Sequence, residues 1–177
     1  SRNSLKLQTI KLNTPEERLA WLAKNIPLLK GSGIVYALTQ KDAEMVANWL
    51  QTQNISAKPY HAGNNLSGEY KLICEDELKH NRIKVLVATT ALGMGYDKPD
   101  IGFVIHYQMP GSVVAYYQQV GRAGRAIDSA YGILLSGAED TNIIDYFIGN
   151  AFPSRELVAQ ILDELDKAID GLSLNEL

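Results

Sequence analysis

The sequence predicts an α/β fold, a parallel, doubly wound sheet with helices on both faces and a helical extension at its C-terminal end. Three observations predict it. Continuous apolar runs such as Ile34–Leu38 and Val85–Ala88 suit strands buried on both faces. Segments with apolar residues at helical spacing lie between these runs. Gly, Pro and capping residues fall where one pattern gives way to the other. Strand and helix therefore alternate along the chain, as the crossover units of a parallel sheet require.

Leu5–Leu12 alternates apolar and polar residues, as a half-buried strand does. Thr14 is set to cap the next helix, with Pro15 in the first turn and Glu17 closing a capping box. Leu19, Leu22, Ala23, Ile26 and Leu29 continue that helix until Gly31-Ser32-Gly33 ends it. Ile34–Leu38 is the next strand, and Thr39-Gln40 opens the helix of Ala43, Val46, Ala47 and Leu50. Ile55–Tyr60 is a short strand ending at His61-Ala62-Gly63. Tyr70, Ile73, Cys74 and Leu78 mark a third helix, in which Cys74 is a small core residue. Ile83–Ala88 and Ile101–Tyr107 are buried strands, and a helix over Ser112–Gln119 precedes the last strand, Tyr131–Leu135. From Pro153 a final helix sets Leu157, Val158, Ile161, Leu162, Leu165, Ala168 and Ile169 on one face and its acids on the other. The expected division is one domain over residues 1–150 and an acidic helical extension over 151–177, leading to a further domain.

The chain has 177 residues, enough for one domain that buries roughly 70% of its unfolded surface. No apolar run approaches the ~20 residues that span a bilayer, and Ser1–Lys6 lacks the apolar stretch of a signal peptide. The single cysteine excludes an internal disulfide and a cysteine-based zinc site, and a reducing cytoplasm is the expected compartment. No His/Asp/Glu set has metal-ligand spacing. The net charge is −3, but residues 139–177 hold nine acids and only two bases, which leaves residues 1–138 at +4. A mildly basic body allows a local nucleic-acid groove without implying strong binding.

In a parallel sheet, ligands bind beyond the carboxyl ends of the strands. Three segments are expected there: Thr39-Gln40, His61–Gly63 and Thr89–Asp97. The hydroxyls of Thr89 and Thr90, with neighbouring backbone N–H groups, can hold a phosphate without reading a base. Gly93 and Gly95 are expected to let the backbone approach closely and to take φ > 0. His61 suits a phosphate contact or a structural turn equally well. His80 and His106 read as structural; Tyr116 and Tyr117 suit stacking on bases, but both sit in an amphipathic helix and at least one is expected in the core. Arg122 and Arg125, three residues apart on a helix or turn, point one way. A guanidinium supplied by a neighbouring domain stabilises charge on a transferring γ-phosphoryl group. Gln118 lies one turn earlier and can orient water or a phosphate oxygen. No G-x-x-x-x-G-K-[ST] loop exists in the chain. The acidic runs Glu75-Asp76-Glu77 and Asp163–Asp166 fall in helical patterns and not at strand ends, where a Mg²⁺-binding acid pair would sit. ATP and Mg²⁺ are therefore expected to bind mainly on another domain, over which this one closes.

The motifs resemble the second RecA-like domain of superfamily 2 helicases, in the form found in RecQ-like DNA helicases. The resemblance spans about residues 1–150. It rests on Arg2-Asn-Ser-Leu5, Gly33–Thr39, Tyr60–Gly63, Val87-Ala-Thr89 through Gly93-Met-Gly-Tyr-Asp-Lys-Pro99, and Gln118–Arg125. It implies an ATP-dependent DNA helicase that moves 3′ to 5′ on single-stranded or forked DNA, working in the bacterial cytoplasm or nucleoid. Its partner would be an N-terminal RecA-like domain of the same polypeptide, and the isolated chain would be inactive. It further implies that Thr39, His61, Gly63, Thr89, Thr90 and Gly95 meet nucleic acid, and that Gly93 and Asp97 lie near the nucleotide. Arg122 and Arg125 would face the γ-phosphate, with Arg125 the better finger. The chain departs from the family pattern at Ala37, Leu92, Tyr96, Gln119 and Ala126-Ile127, and it lacks the four-cysteine zinc module of many relatives. Two other readings fit the same motifs, an ATP-dependent RNA helicase domain and a non-catalytic nucleic-acid-binding module.

Overall fold

Four short apolar runs pair side by side at the centre of a six-stranded sheet, because only a parallel sheet covered on both faces hides strands that are apolar on both sides. The computed structural model describes residues 4–63, 66–93 and 96–137, with Ala159, Gln160 and Asp163 of the C-terminal segment. Its elements are β1 (Leu5–Lys11), α1 (Pro15–Asn25), a 3₁₀ turn (Ile26–Leu28), β2 (Gly33–Tyr36), α2 (Gln40–Thr52) and β3 (Ala57–Tyr60). They continue with α3 (Gly68–Lys79), β4 (Val85–Ala88), β5 (Phe103–His106), α4 (Val113–Val120) and β6 (Ala130–Ser136). The strand order is β1-β6-β5-β2-β4-β3, and every pairing is parallel.

The two faces of the sheet carry separate cores. Val35, Val85, Val87, Phe103 and Ile105 point to one face, where Leu22 of α1 and Ala43, Val46, Ala47 and Leu50 of α2 cover them. The alternate residues Ile34, Tyr36, Leu86, Ala88 and Val104 point to the other face, against Cys74 and Leu78 of α3 and Ala123 beyond α4. Full burial of one such aliphatic side chain stabilises by about 1.5–3 kcal/mol relative to exposure. Cys74 is fully buried, and the same burial pushes its thiol pKa up, as a core position does.

Two expectations about the elements change. The first helix stops at Asn25, four residues before Leu29, because Pro27 lacks the N–H that a continuing helix needs. Among the described residues the strand at the N-terminal end pairs only with β6, and most of its residues are exposed instead of alternating cleanly. The Thr14 cap forms as expected, accepting from Glu17 N at 3.2 Å, while the Glu17 carboxylate reaches back to Asn13 N at 2.6 Å. Gly95, the entry segment at Arg2-Asn3 and most of the extension over 151–177 lie outside the described residues. Ala159, Gln160 and Asp163 are helical.

Candidate functional site

β2, β3 and β4 all deliver chemistry-bearing residues to one edge of the sheet. Thr39 follows β2 by three residues, His61 follows β3 directly, and Thr89 follows β4 directly. Parallel strands share a direction, so their carboxyl ends share an edge.

The residues differ in what they leave available. Thr39 caps α2: its Oγ1 accepts from Asp42 N at 3.1 Å and donates to the Asp42 carboxylate at 2.7 Å. His61 is fully buried. Gly63 N–H donates to its Nδ1 at 3.1 Å, which leaves the ring proton on Nε2, 3.1 Å from the Glu44 carboxylate. Both ring nitrogens are thus used internally, and His61 holds the backbone at Gly63. The signal missed in the sequence is Glu44, one turn into α2. Thr89 is 8% exposed, and its Oγ1 accepts from Ala91 N at 3.3 Å. Thr90 is exposed and lines a narrow cleft with Leu38 and Gln108.

From Thr90 the chain crosses to β5 as the segment 91–102. Leu92 anchors it, 2% exposed. Gly93 has no positive φ, contrary to the sequence expectation, and a Cβ placed there would meet only Ala91 O at 3.9 Å. Among the described residues of this region Gly124 is left-handed, with φ +71°. A side chain there would be strained and would press on Ala130 Cβ at 3.0 Å. At the far end of the segment Lys98 is 2% exposed, and its ammonium lies 2.6 Å from Asp100. That contact, with Asn81 donating to the same carboxylate at 3.1 Å, holds the Asp100 pKa below its usual range.

The motif after α4 lies on a turn and not on the helix, which ends at Val120. Gly124 N–H donates to Ile101 O at 3.1 Å and Ala126 N–H to Pro99 O at 2.8 Å, so the turn is laced to the end of the crossing segment. Ser4 Oγ donates to Gly124 O at 3.0 Å from the other side. The two arginines diverge. Arg122 donates to Tyr96 O at 2.9 Å, Leu92 O at 3.2 Å and Gly93 O at 2.9 Å. Arg125 is exposed; its Nη1 donates to Asp97 Oδ1 at 2.9 Å and its Nε to Gly121 O at 3.3 Å. Arg125, Asp97, Gln118, Arg122, Tyr96 and Tyr117 line one open groove of about 470 Å³.

Beneath this turn, His106 is sandwiched between Tyr36 (ring centroids 5.6 Å apart) and Tyr116 (5.0 Å) and donates from Nε2 to Gln119 Oε1 at 2.9 Å. Burial pushes its pKa down to about 4. The Tyr36 hydroxyl is buried, which pushes its pKa up to about 12 against the opposing pull of Arg122. Tyr116 is half-buried, whereas Tyr117 is 66% exposed at the groove. His80 caps the end of α3, with Nδ1 2.9 Å from Asp76 O.

Among the described residues no group of three His, Cys, Asp or Glu side chains could hold a metal ion, and no helix is long and apolar enough to cross a membrane. Glu75, Asp76 and Glu77 lie within α3, as their spacing suggests.

Residues 18–127 match the family described as helicase conserved C-terminal domain. The chain is 33% identical over 151 residues to the probable ATP-dependent DNA helicase RecS of Bacillus subtilis, covering 85% of this chain and 30% of that protein. It is 43% identical over 110 residues to the RecQ-like DNA helicase blm-1 of Caenorhabditis elegans, covering 62% of this chain and 11% of that protein. In fold it superposes on the yeast DEAD-box splicing factor Prp28 with a TM-score of 0.72 at 17% identity, over 98% of this chain and 39% of that one. The chain thus spans between about a tenth and a third of these curated relatives.

Proposed function

That this chain belongs to the helicase conserved C-terminal domain family, in the form carried by RecQ-like DNA helicases, is the premise from which we propose its function. It serves as the second RecA-like motor domain of an ATP-dependent DNA helicase. In that enzyme a first RecA-like domain of the same polypeptide holds most of ATP and Mg²⁺. This domain closes over them and supplies Arg125 to the charge that builds on the γ-phosphoryl group. Asp97 and Gln118 share the groove with Arg125 and would order the nucleotide and the attacking water. At the other end of the crossing segment, exposed Thr90 and the backbone around it would meet single-stranded DNA through its phosphates, a contact that tolerates any sequence. Thr39, Thr89, His61 and Gly63 shape that edge from behind.

The observation that carries this reading is the placement of Arg125. It is an exposed guanidinium on a turn fixed by a left-handed glycine, beside a carboxylate, and one segment joins it to the strand-end hydroxyls. A 40% identity over 117 residues to the putative ATP-dependent RNA helicase R290 of Acanthamoeba polyphaga mimivirus keeps a second reading open, an RNA helicase domain. ATP hydrolysis by the full-length polypeptide, with no nucleic acid, with single-stranded DNA and with single-stranded RNA, separates the readings. Stimulation by DNA is expected. Stimulation by RNA alone selects the second reading, and no hydrolysis in any condition points to a non-catalytic binding module.

A further inference from the structure

α1 covers only part of its face of the sheet, and an open groove of about 420 Å³ lies beside its C-terminal end. The parallel register of β1 and β6 sets Lys6 beside Tyr131 and Gln8 beside Ile133, and Gln8, Tyr131 and Ile133 form the floor. Trp21 and Asn25, one turn apart on α1, form a wall with Leu28 of the 3₁₀ turn that follows. Trp21, Tyr131 and Ile133 pack on the first of the two cores, whereas Tyr96 and Ala123, beside the arginines, pack on the second. The groove is therefore on the opposite face of the sheet from the one lined by Arg125.

The wall is stiff. Leu28 is 76% exposed, yet the turn that holds it out is anchored on every side. Ile26 is fully buried, Pro27 fixes its own φ, and Leu29 N–H donates to Ile26 O at 3.1 Å. The Lys84 ammonium donates to Leu29 O and, at 2.7 Å, to Gly31 O. Gly102 lets the turn rest directly on the start of β5, since a Cβ there would lie 2.0 Å from Lys30 O. A leucine held in water by a fixed turn, beside a half-buried tryptophan, is a preformed seat for an apolar side chain, and binding there orders little that is not already ordered.

The rim is positive. Lys30 lines the groove, Lys24 follows Trp21 by one turn, and the Lys6 ammonium stands 5.6 Å from the centroid of the Tyr131 ring. All three lysines are exposed, and among the described residues none has an ion-pair partner. No carboxylate lines the groove; Asp128, next to Ser129 at its border, is exposed. Lys6 covers the face of Tyr131 on which a base would stack, which disfavours a nucleic acid here. We propose that this groove docks a partner protein through an acidic segment that carries a leucine or aromatic anchor. The anchor packs between Trp21, Leu28 and Tyr131, and flanking carboxylates meet Lys6, Lys24 and Lys30. This surface stands whether or not the motor reading does.

Selection of a phage-displayed library of random peptides on the full-length polypeptide, counter-selected against its Leu28→Asp variant, tests the surface. Enriched peptides should place Asp and Glu around a Leu, Phe or Trp. A fluorescein-labelled synthetic peptide from that selection should bind Lys30→Glu at least about tenfold more weakly than the wild type, and its affinity should fall as salt rises. Replacing the acids of that peptide by lysines should reverse the preference between the wild type and Lys30→Glu. Leu28 and Lys30 are exposed, so both variants should melt with the wild type; if Lys30→Glu does not, Lys30→Gln carries the test with a smaller loss. No enrichment, enriched peptides without an acidic bias, or acidic peptides that bind Lys30→Glu as well as the wild type would each overturn the proposal. Single-stranded DNA that displaces the peptide and itself binds Leu28→Asp and Lys30→Glu more weakly would assign the groove to nucleic acid and overturn it too.

Discussion

The Arg125 guanidinium donates to the Asp97 carboxylate at 2.9 Å, which joins the turn after α4 to the segment that crosses from β4 to β5. Both side chains are largely exposed, and such a surface pair is worth about 0–1 kcal/mol. The contact orients Arg125 without trapping it: a phosphate in the groove would compete with Asp97 easily. Arg125→Ala in the full-length polypeptide should therefore leave affinity for single-stranded DNA unchanged and cut ATP turnover by about 10³–10⁵-fold, the range of an arginine finger. Turnover close to that of the wild type would remove Arg125 from the chemistry.

Thr89 and Thr90 are neighbours with opposite duties. The Thr89 hydroxyl is enclosed and accepts from Ala91 N, whereas Thr90 faces solvent at the strand-end cleft. Thr→Val keeps the shape and removes the hydroxyl. Thr89→Val should lower stability by about 1 kcal/mol, because the Ala91 N–H loses its acceptor. Thr90→Val should leave stability alone and weaken single-stranded DNA binding by roughly 2–10-fold, the worth of one hydrogen bond. Melting and fluorescence-anisotropy titrations of both variants check the pair, and the reverse pattern would exchange their roles.

The central strands are legible in the sequence because β2, β4 and β5 are apolar on both faces, a pattern with few other homes. The strand-end positions of Thr39, His61 and Thr89 follow from the same pattern, since a strand's end is fixed once the strand is. The pairings are not legible. Asp97 and Arg125 lie 28 positions apart, as do the Gly93 carbonyl and Arg122 within one residue, and only the crossing from β4 to β5 brings them together. His61 reads the same in the sequence whether its ring faces a phosphate or Glu44. The helix boundary at Pro27 was available from the sequence, but the apolar spacing through Leu29 masked it. Gly124 takes a left-handed backbone, which helical spacing of the arginines hides by suggesting that α4 continues.

Close packing at two glycines gives a contrast that the stability of the chain should reflect. A Cβ at Gly102 would lie 2.0 Å from the Lys30 carbonyl oxygen, a backbone atom that cannot turn aside. A Cβ at Gly68, the first residue of α3, meets nothing within 4 Å. Gly102→Ala should destabilise by about 2–3 kcal/mol, as overpacking does, whereas Gly68→Ala should be neutral or stabilise by up to about 0.5–1 kcal/mol through the unfolded chain. At this chain length 1 kcal/mol shifts the midpoint by roughly 2–4 °C, so thermal melts resolve the two. Equal midpoints would mean that β5 moves away from the Lys30 turn at little cost.

His106 makes the fold sensitive to acid. Its ring is 1% exposed, lies between Tyr36 and Tyr116, and has no partner at Nδ1 to receive a second proton. Burial lowers its pKa from 6.5 to about 4, and the hydrogen bond to Gln119 opposes this only in part. Above pH 6.5 the ring is neutral in both the folded and the unfolded chain, so it contributes no pH dependence. Between pH 6.5 and 4 the unfolded chain takes up a proton that the folded one refuses, and stability falls as the pH falls, by about 2 kcal/mol at pH 5 and about 3 kcal/mol at pH 4. His106→Gln removes the titration while keeping a polar side chain of similar reach. Urea unfolding at pH 7 and pH 5 should show the wild type losing about 2 kcal/mol more than this variant; carboxylates that titrate in the same range cancel in the comparison. Gln119→Glu should also blunt the loss, because a carboxylate at that position would stabilise the charged ring. Equal losses in the wild type and His106→Gln would show that the ring charges within the fold, against the burial that surrounds it.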